Sequence, residues 1–266
     1  MNLKNKITIM GILNVTPDSF SDGGQFTHLD ASIKQVKSML DEGADIIDIG
    51  GESTRPGAQD VSVEEELLRV IPVIKAIREF SDCLISIDTS KPRVMREAVM
   101  AGASIINDVR ALQEDKALAT AAELNVPVCI MHMQGQPRSM QNQPEYSDVV
   151  SEVKQFLEQR INACISAGVK EENLLIDPGF GFGKSLVHNL ELFRVLEEFV
   201  KMKYPVVVGV SRKSMIGQIL GDVPVEKRVT ASAVMAALAA KQGVQILRVH
   251  DVKATADAIA VVNSLN

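Results

Sequence analysis

Asp88, Asn107 and Asp177 stand at or next to the ends of the short apolar runs LISID, SIIND and NLLID, and Lys213 follows the run YPVVVGV by three residues. A carboxylate can accept two parallel N–H bonds from an amidine-like edge, and an amide can both donate and accept. Three acceptors with one donor suit a planar heterocycle that presents an amino-pyrimidine edge. Salt bridges to Arg93 or Lys184 would be the simpler use of Asp88 and Asp177. Arg248 and His250 lie two apart in QILRVH, so on a strand they face the same way while Val249 faces the other. With Asn14, which follows the run ITIMGIL, they form a candidate anion site for phosphate or diphosphate. A hard cation such as Mg²⁺ would need only Asn14 and phosphate oxygens there, because Mg²⁺ keeps most of its waters. A His250 bonded only to backbone is the plainer alternative.

The remaining runs also end in polar residues: Glu52-Ser53-Thr54-Arg55, Asp108, His132 and Ser211-Arg212. One such residue is ordinarily a satisfied strand end, whereas eight runs ending this way point to a shared site. Lys213, with Arg212 raising the local positive charge, leaves a Schiff-base aldolase open as another class of chemistry. NVTPDSFSDGG (14–24) and GGESTRPG (50–57) are long for connecting turns. Gly23, Gly24, Gly50, Gly51 and Gly57 would let them reorder as lids, although ordinary turn chemistry would also account for them. The string PGFGFGKS (178–185) is not a phosphate loop. Pro178 stands where a Walker motif needs its first glycine, and Lys184 where a dinucleotide fingerprint needs its third.

These side chains need elements to carry them. The runs 7–13, 45–50, 84–88, 104–108, 126–132, 173–177, 204–210 and 245–250 are nearly continuous in apolar residues, as parallel strands covered on both faces are. Helical patterns fill the intervals. One has Asp30 as its cap and Gly43 as its stop; a second has Ser62 and Glu65 as a capping box, with Pro72 predicting a kink or an early break. Further helices are predicted near 91–101, 114–124, 147–167, 189–201, 226–242 and 253–264. Strand ends recur about every 34 residues between Asn14 and His250, the spacing of a (β/α)8 TIM barrel whose site lies at the carboxyl ends of its strands. A single domain over 1–266 follows, with a doubly wound open sheet as the other arrangement of the same elements.

Composition narrows the partners. The 266 residues carry 28 Lys and Arg against 34 Asp and Glu, and the net charge of −6 disfavours nucleic acid and anionic membrane surfaces. The longest uncharged apolar stretch, 229–240, is too short to span a bilayer, and ITIMGIL after Lys4 and Lys6 reads as a strand, not a signal segment. Cys83, Cys129 and Cys164 are widely spaced and odd in number, which fits a reducing cytoplasm and neither a disulfide framework nor a zinc site.

The motifs GILNVTPDSFSDGG, GGESTRPG, SIDTSKP, IINDV, DPGFGFGK, GVSRKS and RVHD follow one another over about residues 7 to 262, and in this order the chain resembles the dihydropteroate synthase family of folate biosynthesis. The resemblance implies condensation of a dihydropterin-methyl diphosphate with p-aminobenzoate, giving 7,8-dihydropteroate and diphosphate with Mg²⁺. It assigns the pterin to Asp88, Asn107, Met131, Asp177, Gly181, Gly209 and Lys213. It assigns the diphosphate to Asn14, Thr54, Arg55, Arg248 and His250, with Mg²⁺ at Asn14. For p-aminobenzoate it implies Phe20, Thr54, Pro56, Phe182, Lys213 and Ser214. Asp88, Arg55 and Lys213 would be the catalytic groups, and a cytoplasmic homodimer acting on small molecules is expected. An arylamine is a weak nucleophile, so the reading is S_N1-like: the cations stabilise the leaving diphosphate and Asp88 the positive charge on the pterin. A pterin-binding methyl-transfer module would share the barrel and pterin pocket without needing the diphosphate set, and a non-catalytic pterin-binding protein would lack diphosphate release.

Overall fold

Isoleucine and valine dominate the short runs, and β-branched side chains pack well on a pleated surface. The structure, a computed structural model that describes residues 7–16, 25–53, 60–135, 140 and 144–265, turns each run into a strand. These are β1 (Thr8–Asn14), β2 (Ile46–Gly50), β3 (Leu84–Asp88), β4 (Ile105–Asp108), β5 (Val128–Met131), β6 (Leu174–Asp177), β7 (Val207–Val208) and β8 (Ile246–Val249). All pair in parallel, in the order β6-β5-β4-β3-β2-β1-β8-β7. The two end strands meet through an Ile176–Val206 bridge, where the Ile176 N–H donates to Pro205 at 3.0 Å. That contact brings the sheet round into a (β/α)8 barrel and disposes of the open doubly wound alternative.

Helices α1 (Gln25–Asp41), α2 (Val63–Arg78), α3 (Pro92–Ala101), α4 (Ala117–Leu124), α5 (Val149–Ser166), α6 (Leu186–Arg194), α7 (Leu196–Val200), α8 (Ser214–Ile219), α9 (Val229–Lys241) and α10 (Val252–Ser264) alternate with the strands. Gly43 ends α1 with φ +105 as expected, but the helix begins at Gln25, so Asp30 lies inside it and is not its cap. Ser62 does cap α2 by accepting the Glu65 N–H at 3.2 Å, while the Glu65 carboxylate turns to Arg69. The early break expected at Pro72 does not occur. One proline in a helix interior costs about 3 kcal/mol, and burying Val70, Val73, Ile74 and Ile77 at about 1.5–3 kcal/mol each outweighs it. The region 189–201, predicted as one helix, is two, divided at Val195. The six-residue α8 has no prediction behind it, because it is too short to show a helical period.

Strand alternation separates two cores. Outward-facing Ile47, Ile49, Ile85, Ile87, Ile106, Val128 and Ile176 pack under the helices. Inside the barrel, Met10, Ile46, Ile105, Cys129, Leu175, Val207 and Ile246 fill the amino-terminal end with Leu84 against them. Above this apolar plug the inward positions become polar.

Candidate active site

The inward row at the carboxyl end is set by register: Asn14 pairs with Gly50, Gly50 with Asp88, and Asp88 with Asn107. Because side chains two residues apart share a face, Asp48, two before Gly50, and Ser86, two before Asp88, lie one layer below. Asp48 is fully buried and accepts from Asn107 Nδ2 at 3.2 Å. Arg248 reaches across from β8 with a forked grip, Nε to Asp48 at 2.7 Å and Nη2 to Asp88 at 2.8 Å. Two carboxylates thus share one guanidinium. Burial pushes the Asp88 carboxyl up to about 7; Arg248 opposes the shift, while Asp48, Glu66 and Asp108 add to it. Burial also works against charge on Arg248, but Asp48 and Asp88 more than offset it and hold the guanidinium above its ordinary value.

Asp177, at the end of β6, accepts the Gly179 N–H at 2.7 Å, and burial raises its pKa against the pull of Lys213. Lys213 enters from the end of the β7 segment, donates to the Phe180 carbonyl and lies 4.5 Å from the Phe182 ring centroid. Burial lowers it to about 8, with Asp177 opposing. A Cβ on Gly209 would stand 3.7 Å from Arg248 Cβ and 3.9 Å from Lys213 Nζ, so this glycine keeps the floor between the two cations open. Gly181, at φ +79, would bring a Cβ to 3.1 Å from Lys213 Cδ. Met131 pairs in register with Asp177 and is buried beside it. Carboxylates, an amide, a donor and an apolar wall therefore surround one opening, and the arrangement can read the edge of a flat heterocycle.

His250 sits with its Nδ1 3.2 Å from Ser211 Oγ, and its backbone N–H donates to the same oxygen at 3.1 Å. Ser214 opens α8 and is exposed. Phe20, Thr54, Arg55 and Pro56 lie outside the described residues. What frames the second loop is visible: Glu52 accepts from the Val61 N–H at 2.9 Å and from Lys91 at 2.7 Å, and Lys91 also bonds buried Glu66. Arg69 donates to the Gly51 carbonyl at 2.7 Å.

Several expectations change. Arg248, assigned to diphosphate alone, also anchors the acidic pair. Arg212 does not raise the charge at Lys213: with φ +58 it turns to Asp251, donating from Nε at 2.8 Å. Arg93 pairs with Glu64, and Lys184 bonds His132 and backbone carbonyls, so neither of the simple salt bridges considered for Asp88 and Asp177 is present. Asp108 and His132 each follow an inward residue and so face outward. Asp108 accepts from Ser90 and from the Arg110 and Leu112 N–H groups, an ordinary satisfied strand end. Asp48 went unmarked, though the alternation within DIIDIG places it on the Gly50 face.

The fold and the site are those of a barrel enzyme whose polar mouth can take a flat heterocycle carrying an anionic group. The family model for pterin binding enzymes matches residues 10–250. Dihydropteroate synthases of Haemophilus influenzae and Escherichia coli K12 are 60% and 55% identical, over 95% and 96% of this chain and 92% and 90% of their own lengths. Among solved structures, a Yersinia pestis dihydropteroate synthase in complex with a sulfonamide drug superposes with a TM-score of 0.94 at 50% identity, covering 100% of this chain and 96% of that one. A Xanthomonas albilineans dihydropteroate synthase in complex with 7,8-dihydropteroate gives 0.91 at 47% identity, covering 100% and 95%. The chain belongs to the dihydropteroate synthase family. This likeness does not favour the methyl-transfer module or the aldolase.

Proposed function

We propose that the protein is a dihydropteroate synthase, joining the methylene carbon of a dihydropterin-methyl diphosphate to the amine of p-aminobenzoate and releasing diphosphate. The observation that carries this is the Asp48–Arg248–Asp88 fork set beside Asn107, Asp177 and Lys213. Asp177, Asn107 and Lys213 orient the pterin edge, and Met131, Gly181 and Gly209 shape the slot. As the C–O bond to diphosphate breaks, positive charge grows on the pterin methylene, and ionised Asp88 stabilises it. Arg248, His250 and Arg55 take the charge left on the diphosphate. The arylamine then attacks from the side of Phe182, Lys213 and Ser214, with Phe20, Thr54 and Pro56 completing that pocket, and loses its proton afterwards.

Mg²⁺ fits as a ligand-borne cation. Among the described residues no three His, Cys, Asp or Glu side chains gather into a metal cage. Gly50 leaves a gap in front of Asn14, where a Cβ would stand 3.8 Å from Asn14 Oδ1. A hard cation with one protein oxygen and several phosphate oxygens suits such a place, and bound there it would neutralise the leaving diphosphate. A cytoplasmic homodimer with small-molecule substrates completes the proposal; among the described residues no helix is long and apolar enough to cross a membrane. The test is diphosphate release on mixing the two substrates with Mg²⁺. Release that needs both substrates supports the proposal, and pterin binding without release overturns it.

A further inference from the structure

Lys184 is 3% exposed and, like Lys213, binds the turn 179–183, though through different carbonyls. Its Nζ meets Gly179 O at 2.8 Å, His132 Nδ1 at 2.9 Å, Phe182 O at 3.0 Å and, at the longer distance of 3.4 Å, His132 O. Further polar groups of the turn are also used. The Gly181 N–H donates to Asn189 Oδ1 at 2.8 Å, the Gly183 carbonyl accepts from Tyr146 at 2.8 Å, and the Phe182 N–H donates to Gly179 O at 3.2 Å. The carbonyl of Phe180 is taken by Lys213. Gly179 and Gly183 bring the turn hard against the segment that follows β5: added Cβ atoms would stand 1.8 Å from the His132 carbonyl oxygen and 2.3 Å from that of Gln134.

We propose that Lys184, seated on His132, is a positioning residue for Lys213: by drawing the Gly179 and Phe182 carbonyls outward it leaves the Phe180 carbonyl and the Phe182 ring facing inward to hold the Lys213 ammonium over the pterin and p-aminobenzoate pockets. The assignment deepens the synthase reading and rests on it for the identity of the ligands. Among the described residues no hydrogen bond ties Lys184 to the diphosphate side, where Arg248 and His250 lie on β8 and the residue after it. His132 serves as an acceptor, since burial and the Lys184 charge push its imidazole down to about 2 and keep it neutral. A buried lysine is costly to hold, and burial pushes Lys184 well below its ordinary pKa. The acceptors around Nζ give it hydrogen-bond partners in that buried place.

The experiment titrates Lys184→Met, His132→Asn and His132→Leu with two probes, a 6-hydroxymethyl pterin lacking diphosphate and inorganic pyrophosphate with Mg²⁺. Asparagine Oδ1 can replace the Nδ1 acceptor, and leucine cannot. Lys184→Met and His132→Leu should weaken the pterin by about tenfold or more while pyrophosphate stays within about twofold, and His132→Asn should keep most of the pterin affinity. Parental pterin affinity in Lys184→Met, or equal loss of both probes, overturns the proposal, the latter because it marks a general loss of structure. Should Lys184→Met fail to fold, the His132 pair decides, and identical behaviour of Asn and Leu overturns it. A parent that binds pterin but releases no diphosphate would count against the synthase reading and leave this comparison intact.

Discussion

Asp88 carries the sharpest expectation for a single residue. Asp88→Asn removes the charge that meets the forming cation, and turnover should fall on the order of 10²-fold; near-parental turnover would take Asp88 out of the mechanism. The ionised form is the active one, so kcat/KM should decline as pH drops through about 7. Stability should move the other way. A folded-state pKa raised above the unfolded one means that the contribution of Asp88 to stability is greatest below the unfolded value of 3.8 and is lost as pH rises to about 7. Asp88→Asn should therefore gain melting temperature over the parent at pH 8, a gain that vanishes toward pH 4. Arg248 presents the opposite case. Arg248→Ala should weaken diphosphate by roughly 1.5–3 kcal/mol, and it should also weaken free pterin, because Asp48 and Asp88 lose their shared partner. Lysine should not rescue it, since one ammonium cannot reproduce the fork. Free pterin bound normally by Arg248→Ala would show that the fork does not serve the pterin side.

Among the elements, α2 and α3 hold the base of the second loop. Lys91 joins Glu52 on that loop to Glu66 on α2, and Glu66 is buried with its Oε1 unpartnered. Lys91→Met leaves that carboxylate without a cation and should cost about 3 kcal/mol of stability; adding Glu66→Gln should restore most of it. Equal melting of the single and double variants would refute the coupling. Diphosphate contacts from Thr54 and Arg55 should order the same loop and complete the p-aminobenzoate pocket, so calorimetry should find p-aminobenzoate bound only weakly unless diphosphate or the pterin substrate is present. Equal affinity in the two conditions would remove the ordering. Helix periods, the Ser62 cap and the Gly43 stop were legible at this scale because they are local. The passage of α2 through Pro72 was not, because burial against the barrel outweighs local preference there, and neither were the start of α1 and the existence of α8, the latter too short to show a period.

For the whole molecule, the proposed homodimer predicts a sedimenting species of about twice the 28.9 kDa chain mass, and a 28.9 kDa species at micromolar concentration would exclude it. Eight apolar runs at near-constant spacing, each closing on a polar residue, were enough to expect a parallel barrel and to nominate Asp88, Asn107, Asp177, Lys213, Arg248 and His250, since strand period and chain direction are properties of the sequence itself. How those charges are shared was decided only by tertiary structure. Asp48 and Arg248 are 200 residues apart, and no local pattern records that barrel closure puts them 2.7 Å from each other. Tertiary packing likewise sent Arg212 to Asp251 and seated Lys184 on His132 and the turn that Lys213 also meets. Residue type and spacing name the groups that can do chemistry; which of them meet depends on the curvature and stagger of a sheet that brings distant strand ends around one axis.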